Sequence, residues 1–275
     1  MADLILPNRS ILKPLPGTPL DIHHPLSDGL VGSWLMNENA GDIVHDLSGH
    51  KSHGTFQGTP TWQASTNGPA LYFSGGTDAV NGVPQVTGYP FSVSFWMSTT
   101  ASSTWKCLFW IGNSARGDQW YVVYFRDVAG HLTIAARNPG EKYATSPNAV
   151  DDGKWHHVVA VFASATDRRL YVDGHLDASS TSSIPFATST NKWTLGYMGD
   201  SSPGGGYIGL LGQTILYDRA LVPAEIASLY RDSYQMFEQE QILISTGAPP
   251  VAGAVGRLVD GGLVNSGLVY GRLTG

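Results

Sequence analysis

A single cysteine, Cys107, occurs in the 275 residues, which excludes an intramolecular disulfide and any multi-cysteine zinc site. It lies in the apolar run 105–111, where a thiol behaves as a small hydrophobe, so a buried core position is expected. Charge is sparse as well: charged residues make up 14% of the chain, and its 16 Lys and Arg are scattered against 22 Asp and Glu, for a net charge of −6. Without a basic cluster the chain lacks the counterion-releasing surface that nucleic-acid binding requires. No apolar stretch approaches the roughly 18 residues of a membrane-spanning helix. The opening Met1-Ala2-Asp3-Leu4-Ile5-Leu6-Pro7 has neither a charged leader nor the apolar run of a signal peptide, so the expectation is a protein made in a cytoplasm.

Turn-forming and aromatic residues are plentiful: 33 Gly, 16 Pro, 8 Trp, 12 Tyr and 9 Phe. That balance suits short strands joined by tight turns and runs against helices, which would want more Ala, Glu, Lys and Leu. Three zones follow. Residues 1–26 hold Pro7, Pro14, Pro16, Pro19 and Pro25 and read as an extended arm, because proline removes a ladder donor and biases its predecessor towards extended geometry. Residues 27–236 carry the folded domain, and 237–275 form a tail of different composition.

Within the domain, Phe91, Val93, Phe95 and Met97 alternate with Ser92, Ser94 and Ser98, the period of two that marks a half-buried strand. Trp96 breaks the polar face and is expected to cover the outside of the sheet. The runs 105–111 and 120–125 are almost continuously apolar and should be central strands. Further strands are expected at 30–36, 54–56, 71–73, 132–136, 155–162, 193–197 and 214–217. Asp173-Gly174 joins 170–172 to 175–178 as a type I′ hairpin. About a dozen strands of this kind predict an all-β antiparallel jelly-roll sandwich of two face-packed sheets. One short helix is expected after Pro223, with Glu225 in its first turn and Ile226, Leu229 and Tyr230 on one face.

These residues resemble a known family. Asp152-Gly153-Lys154-Trp155-His156-His157-Val158-Val159, then Leu170-Tyr171-Val172-Asp173-Gly174, is similar to the signature hairpin of laminin-G-like, concanavalin A-type domains. Upstream, Asp46-Leu47-Ser48-Gly49, His53-Gly54-Thr55 and Ala70-Leu71-Tyr72-Phe73-Ser74-Gly75 resemble the family's opening. Downstream, Leu216-Tyr217-Asp218-Arg219-Ala220-Leu221 and Pro223-Ala224-Glu225-Ile226 resemble its close. The likeness spans about residues 28–231 and implies a domain that binds or assembles. Many members bind calcium through oxygen ligands, and Asp78 matches one such position. The closing strand reads Gly212-Gln213-Thr214-Ile215-Leu216 where the family usually carries an acidic residue, which takes one hard ligand from an ion that wants six to eight oxygens. No other cofactor is expected.

The same fold hosts glycoside hydrolases, whose paired carboxylates share one strand at i, i+2 and i+4; retaining chemistry sets the pair about 5–5.5 Å apart. No segment here completes that spacing, and there is no G-x-S-x-G elbow, H-E-x-x-H pair or P-loop. The chain is therefore expected to be no enzyme. Gly204-Gly205-Gly206-Tyr207-Ile208-Gly209 formally fits G-x-G-x-x-G, but a strand follows it, so no helix N-terminus is offered to a phosphate. His156 and His157, being neighbours on a strand, point to opposite faces and read as structural: one ring bonded internally, the other at the surface. His45, His50 and His53 cluster in a loop-like stretch and likewise read as structural. Ligand contacts are expected from the rim loops 112–119, 138–147 and 200–206, with Trp120 or Tyr143 able to stack on a sugar ring.

The tail holds four pentads, 256–260, 261–265, 266–270 and 271–275, each with leucine third: Leu258, Leu263, Leu268 and Leu273. An odd period cannot keep leucines on one face of a straight strand, so the chain must bend at the glycines or find partners on both sides. These leucines are expected to carry assembly, through the tail and the N-terminal arm, with further copies or other proteins. Arms flanking a sandwich, together with the polar entry Ser27-Asp28-Gly29, resemble laminin-G-like proteins encoded by bacteriophages. The expected role is thus a virion protein, a capsid decoration or tail-associated module, that displays a glycan-binding sandwich. The alternative is a secreted bacterial carbohydrate-binding or adhesion module.

Overall fold

The computed structural model describes residues 13–101 and 103–237, together with the backbone of two strands near the C-terminus. In chain order the strands are β1 (Leu30–Trp34), β2 (Ile43–Val44), β3 (Gly54–Gln57), β4 (Thr61–Gln63), β5 (Ala70–Ser74), β6 (Ala79–Gly82), β7 (Phe91–Ser98) and β8 (Lys106–Gly112). There follow β9 (Trp120–Phe125), β10 (His131–Arg137), β11 (Glu141–Ala149), β12 (His156–Ser164), β13 (Asp167–Val172), β14 (His175–Ser180), β15 (Lys192–Leu195) and β16 (Ile208–Tyr217). One helix, α1 (Pro223–Arg231), comes after them.

The strands form two antiparallel sheets. The first runs β14-β13-β12-β7-β16-β5-β4, with β1 also paired to β16; the second runs β11-β10-β9-β8-β15-β6-β3-β2. Alternation builds the core between them. Phe91, Val93, Phe95 and Met97 of β7 face Tyr121, Val123 and Phe125 of β9, and all are buried. Phe91 stacks on Phe162 at 4.5 Å and meets the edge of Tyr121 at 5.2 Å, the offset and edge-on geometries that aromatic rings prefer.

The serine face of β7 is buried too, where alternation alone predicts exposure. A second apolar layer covers it: Ile226 and Leu229 of α1 pack with Val159, Val161 and Ile215 on the outside of the first sheet. Ser92 Oγ donates to Arg219 O (2.8 Å) and accepts from Leu221 N (3.0 Å), so the polar side chain serves the chain that leads into the helix. Trp96 lies on this outer side as expected, with its Nε1 donating to Ser233 Oγ at 2.8 Å. Pro223 occupies the first turn of α1, and Glu225 accepts from Val222 N at 2.9 Å while pairing with Arg219 at 2.8 Å. A carboxylate at the helix start favours the dipole and satisfies a donor left over by the first turn.

The hairpin turn is as the sequence requires: Asp173 (φ 49°) and Gly174 (φ 82°) are both left-handed between β13 and β14, the type I′ pattern that matches strand twist. Sixteen strands stand where about a dozen are expected, because β2, β4 and β6 are too short to show a period. β11 is a larger difference. Most of the span 138–147, expected as a loop, is an edge strand paired to β10 alone, where Pro147 can lack an N–H without breaking a ladder.

Of the arm expected over 1–26, residues 13–26 are described and run against the sandwich. Lys13 Nζ donates to Met36 O (3.2 Å) and Pro69 O, Asn37 Nδ2 donates to Pro14 O (2.8 Å), and Asp21 N donates to Met236 O (2.7 Å). These bonds give fixed partners to a stretch whose prolines deny it a ladder of its own. The chain divides into two compact units, one spanning Ile11–Glu238. In the other, strands β17 (Gly256–Val259) and β18 (Gly262–Asn265) pair antiparallel, with Leu258 opposite Leu263 in the register. Leu268 and Leu273 lie outside the described residues.

Candidate functional site

The outer face of the second sheet carries a cleft of about 500 Å³, within the range of small-ligand sites. Strand parity explains its floor. In β9, Tyr121, Val123 and Phe125 enter the core, so Trp120, Val122 and Tyr124 must face outward, where they pack with Trp110 and Cys107. The sheet register sets Trp120 beside Arg137, and Arg137 beside Glu141 across the short turn between β10 and β11. Loop 200–206 supplies the facing wall with Asp200 and Ser202, and loop 112–119 adds Gly117 and Asp118.

That wall is fixed by backbone contacts. Met198 N donates to Gly204 O (2.9 Å), and Cys107 N donates to Gly205 O (2.7 Å). Gly205 is left-handed (φ 72°), and a Cβ there would stand 2.7 Å from Trp105 O; a side chain would push the loop off the sheet. Trp105 is itself left-handed (φ 57°) and 51% exposed at the cleft, an uncommon conformation for a bulky residue. Its ring meets Tyr124 at 5.9 Å and the Arg126 guanidinium at 5.4 Å.

Charges are arranged in pairs. Arg126 Nε lies 3.0 Å from Glu141 Oε1, which also accepts from the Tyr124 hydroxyl, and Arg116 Nε lies 3.0 Å from Asp118 Oδ1. The Arg116 bond holds the Asp118 carboxyl below its ordinary range. Asp200 differs: it is buried, accepts from Ser202 N at 2.9 Å, and burial pushes its pKa up. Arg137 donates to Pro139 O at 3.2 Å and forms no ion pair among the described residues.

The expected site residues fall as follows. Trp120 lies in the cleft floor at 3% exposure, with its Nε1 donating to Gly117 O at 3.2 Å. Tyr143 is 45% exposed but stands further along β11, stacked on the Arg126 guanidinium at 3.9 Å. Asp78 is away from the cleft. Its Oδ1 accepts from Thr59 N (2.8 Å), and its Oδ2 accepts from Ser74 N (2.9 Å) and Ser74 Oγ (2.7 Å). Burial alone would raise its pKa, but these donors outweigh it and hold the carboxyl below its usual range. Both oxygens thus face positive ends of N–H and O–H dipoles, an environment that does not fit a calcium ligand. No group of three or more His, Cys, Asp and Glu among the described residues is placed to hold a metal ion. Glu141 and Asp200 fall within the expected segments 138–147 and 200–206 without having been singled out, and Trp105 and Arg137 lie outside them; the local signal for Arg137 is the Asn138-Pro139-Gly140 turn, which sets its flanking residues side by side.

The two histidines part as strand geometry demands. His156 sits between carboxylates, with Nδ1 2.8 Å from Asp173 Oδ2 and Nε2 3.1 Å from Asp152 Oδ1; the Asp173 bond, opposed by partial burial, raises its pKa. His157 is buried under α1, with Nε2 2.8 Å from Ser94 Oγ and its ring against Trp96 (5.1 Å) and Tyr230 (6.1 Å). Burial lowers its pKa to about 4. Neither ring reaches the cleft. His53 Nδ1 accepts from Asp46 N at 3.0 Å, a structural bond in the loop-like cluster.

Known proteins share this architecture. Domain 4 of AbnA, a GH43 extracellular arabinanase from Geobacillus stearothermophilus solved with arabinotriose, superposes with a TM-score of 0.63 at 18% identity, covering 73% of this chain and 98% of that one. The binding domain of botulinum neurotoxin DC in complex with SialylT gives 0.55 at 13% identity, covering 74% and 52%. The binding domain of Paraclostridial mosquitocidal protein 1 gives 0.57 at 15%, covering 76% and 53%. This chain therefore spans about half the length of the toxin binding domains it resembles. A search of curated proteins finds no match. The family model Laminin_G_3, described as the concanavalin A-like lectin/glucanases superfamily, matches residues 73–227. That span exceeds half the chain, and with two sheets in this topology around it the chain belongs to the concanavalin A-like lectin/glucanases superfamily.

Proposed function

We propose that the protein is a non-catalytic glycan-binding sandwich whose site is the cleft on the outer face of the second sheet. The observation that carries this reading is an exposed, conformationally fixed indole, Trp105, beside a guanidinium and carboxylates in one cleft. An apolar ring face with a few convergent polar groups is what a small polar ligand with one apolar side needs. The bound arabinotriose and SialylT of two structural neighbours support it by analogy of fold. The non-catalytic part rests on the carboxylates: Glu141 and Asp118 are each tied to arginine, which leaves the buried Asp200 without the second free carboxylate that glycoside hydrolysis uses.

The finer reading is a virion protein, a bacteriophage capsid decoration or tail-associated module, held by its terminal segments with the sandwich facing outward. The pentads support an anchoring role. A two-stranded sheet such as β17–β18 leaves backbone donors and acceptors on both edges and is marginal alone, which favours pairing with further copies or virion proteins. A secreted bacterial adhesion module is the competing reading, and a glycan on a cell surface serves either.

Removing residues 238–275 is expected to leave the sandwich's thermal midpoint unchanged while abolishing association, read by light scattering and by co-purification with virus particles. Unaltered assembly of the shortened chain would sink the anchoring reading, and tight glycan binding by a monomer absent from particles would favour the secreted one. Glycan binding on an array is expected to be the same with and without EDTA, given the donors around Asp78. Release of products from arabinan or β-glucan would overturn the non-catalytic assignment.

A further inference from the structure

We infer that the cleft selects neutral sugars, holding adjacent hydroxyls between Arg137 and the carboxylates of Asp118 and Asp200 while a ring face lies on Trp105, and that it rejects sialylated and uronic glycans. This rests on the glycan-binding reading above and adds the class of glycan.

The argument is one of charge and hydrogen-bond type. Three of the lining side chains are carboxylates, Asp118, Glu141 and Asp200, and one is a guanidinium, Arg137. Behind the lining, Arg126 and Arg116 answer Glu141 and Asp118. That leaves Arg137 and Asp200 as the groups of opposite sign without an ion-pair partner among the described residues. Arg137, Asp118 and Asp200 line the same cleft; the Arg116 bond holds the Asp118 pKa low, while burial, opposed by Ser202 N and Arg137, leaves that of Asp200 raised. A ligand carboxylate drawn to Arg137 would therefore enter the field of the unpaired Asp200 carboxylate, Asp118 being already answered by Arg116, in a partly desolvated cleft where like charges repel more than in water.

A hydroxyl meets no such conflict. It donates one hydrogen bond and accepts others, so one sugar hydroxyl can accept from Arg137 while it or its neighbour donates to Asp200 or Asp118. Such charge-assisted bonds are about twice as strong as neutral ones. Trp105 supplies the apolar complement. Its backbone is clamped by loop 200–206 and its ring rests against Arg126 and Tyr124, so its exposed face is held in place before a ligand arrives and little ordering entropy remains to be lost.

The test uses the full chain in calorimetry against arabinotriose, cellotriose, lactose and 3′-sialyllactose, the last two differing by one charged residue. At least one neutral sugar is expected to bind, with 3′-sialyllactose weaker than lactose. Trp105→Ala and Arg137→Met should each weaken the neutral ligand by about tenfold, with far-UV spectra and melting midpoints unchanged because both side chains are partly exposed. Asp200→Asn should narrow the gap between lactose and its sialylated form. Tighter binding of 3′-sialyllactose than lactose, or full binding by Trp105→Ala, overturns this inference alone. Binding of no glycan on a broad array overturns the function reading beneath it.

Discussion

Replacing Trp193 by alanine is expected to lower stability by about 4 kcal/mol, within the range for deleting a large aromatic from a packed core, and to drop the thermal midpoint by roughly 10 °C. Trp193 is fully buried on β15, its ring 4.3 Å from that of Trp34. The pocket around it is fitted by glycine: a Cβ at Gly82 would stand 2.4 Å from the indole, and one at Gly54 would stand 2.8 Å from its far edge. Small residues on β3 and β6 leave a void that no neighbour can refill, so collapse around alanine is restricted. Trp193→Phe separates packing from polarity. It keeps most of the volume but removes one of the two bonds of Ser52 Oγ, which accepts from the indole Nε1 at 2.9 Å and donates to Val83 O at 2.5 Å, and should cost about 1 kcal/mol. Calorimetric melting of both variants decides the matter, and an alanine variant within 1 kcal/mol of the parent would show that the site relaxes.

Acidification should unroof the first sheet. His157 has a folded pKa of about 4 against an ordinary 6.5 because burial disfavours its cation. The sign follows directly: the folded state binds this proton less readily, so the contribution is complete above pH 6.5 and is lost as pH falls towards 4, amounting to about 3 kcal/mol. His156 runs the other way. Its raised pKa gives stability that is present below pH 6.5 and lost as pH rises through the folded value, so its change falls above the window in which His157 acts and leaves that loss intact. The facing charged groups are Asp173, whose Oδ1 accepts from His157 N, and Asp152. His157→Gln, which can still bond Ser94, is expected to flatten the stability profile between pH 6.5 and 4 in urea titrations. A parent and variant with parallel profiles over that window would refute this account.

Much of the sandwich was legible because the signals are local. β7 alternates, Asp173-Gly174 permits one turn type, and Asp46 in the opening motif accepts from Ser33 N and Ser52 N at 2.9 Å, a role a short polar loop residue can be expected to play. The serine face of β7 was misleading because burial there comes from α1, more than 120 residues away in the chain. β11 was unreadable as a strand: it is polar, holds Pro147, has a ladder to β10 alone, and gains its other support from Asp177 of β14, which accepts from Ser146 and Asn148. The cleft was the least visible part. Trp105, Arg137 and Asp200 carry no shared spacing and meet only because β8, β9 and β10 are adjacent and a glycine-bearing loop folds back over them. The two expected ligand residues show how far composition reaches: Trp120 lies in the cleft floor but is 3% exposed, so its ring face is covered, while Tyr143 packs on Arg126 beside the cleft.

The helical roof over the first sheet gives the Ile11–Glu238 unit a front and a back. Its back is covered along β12 and β16 by Ile226, Leu229 and the chain that follows them, so under the proposed reading a glycan meets the unit from the cleft side. Copies attached through a common geometry would all look the same way. Single sites too weak to hold a ligand for long could then act together, since neighbouring engagement raises the effective concentration for each by orders of magnitude.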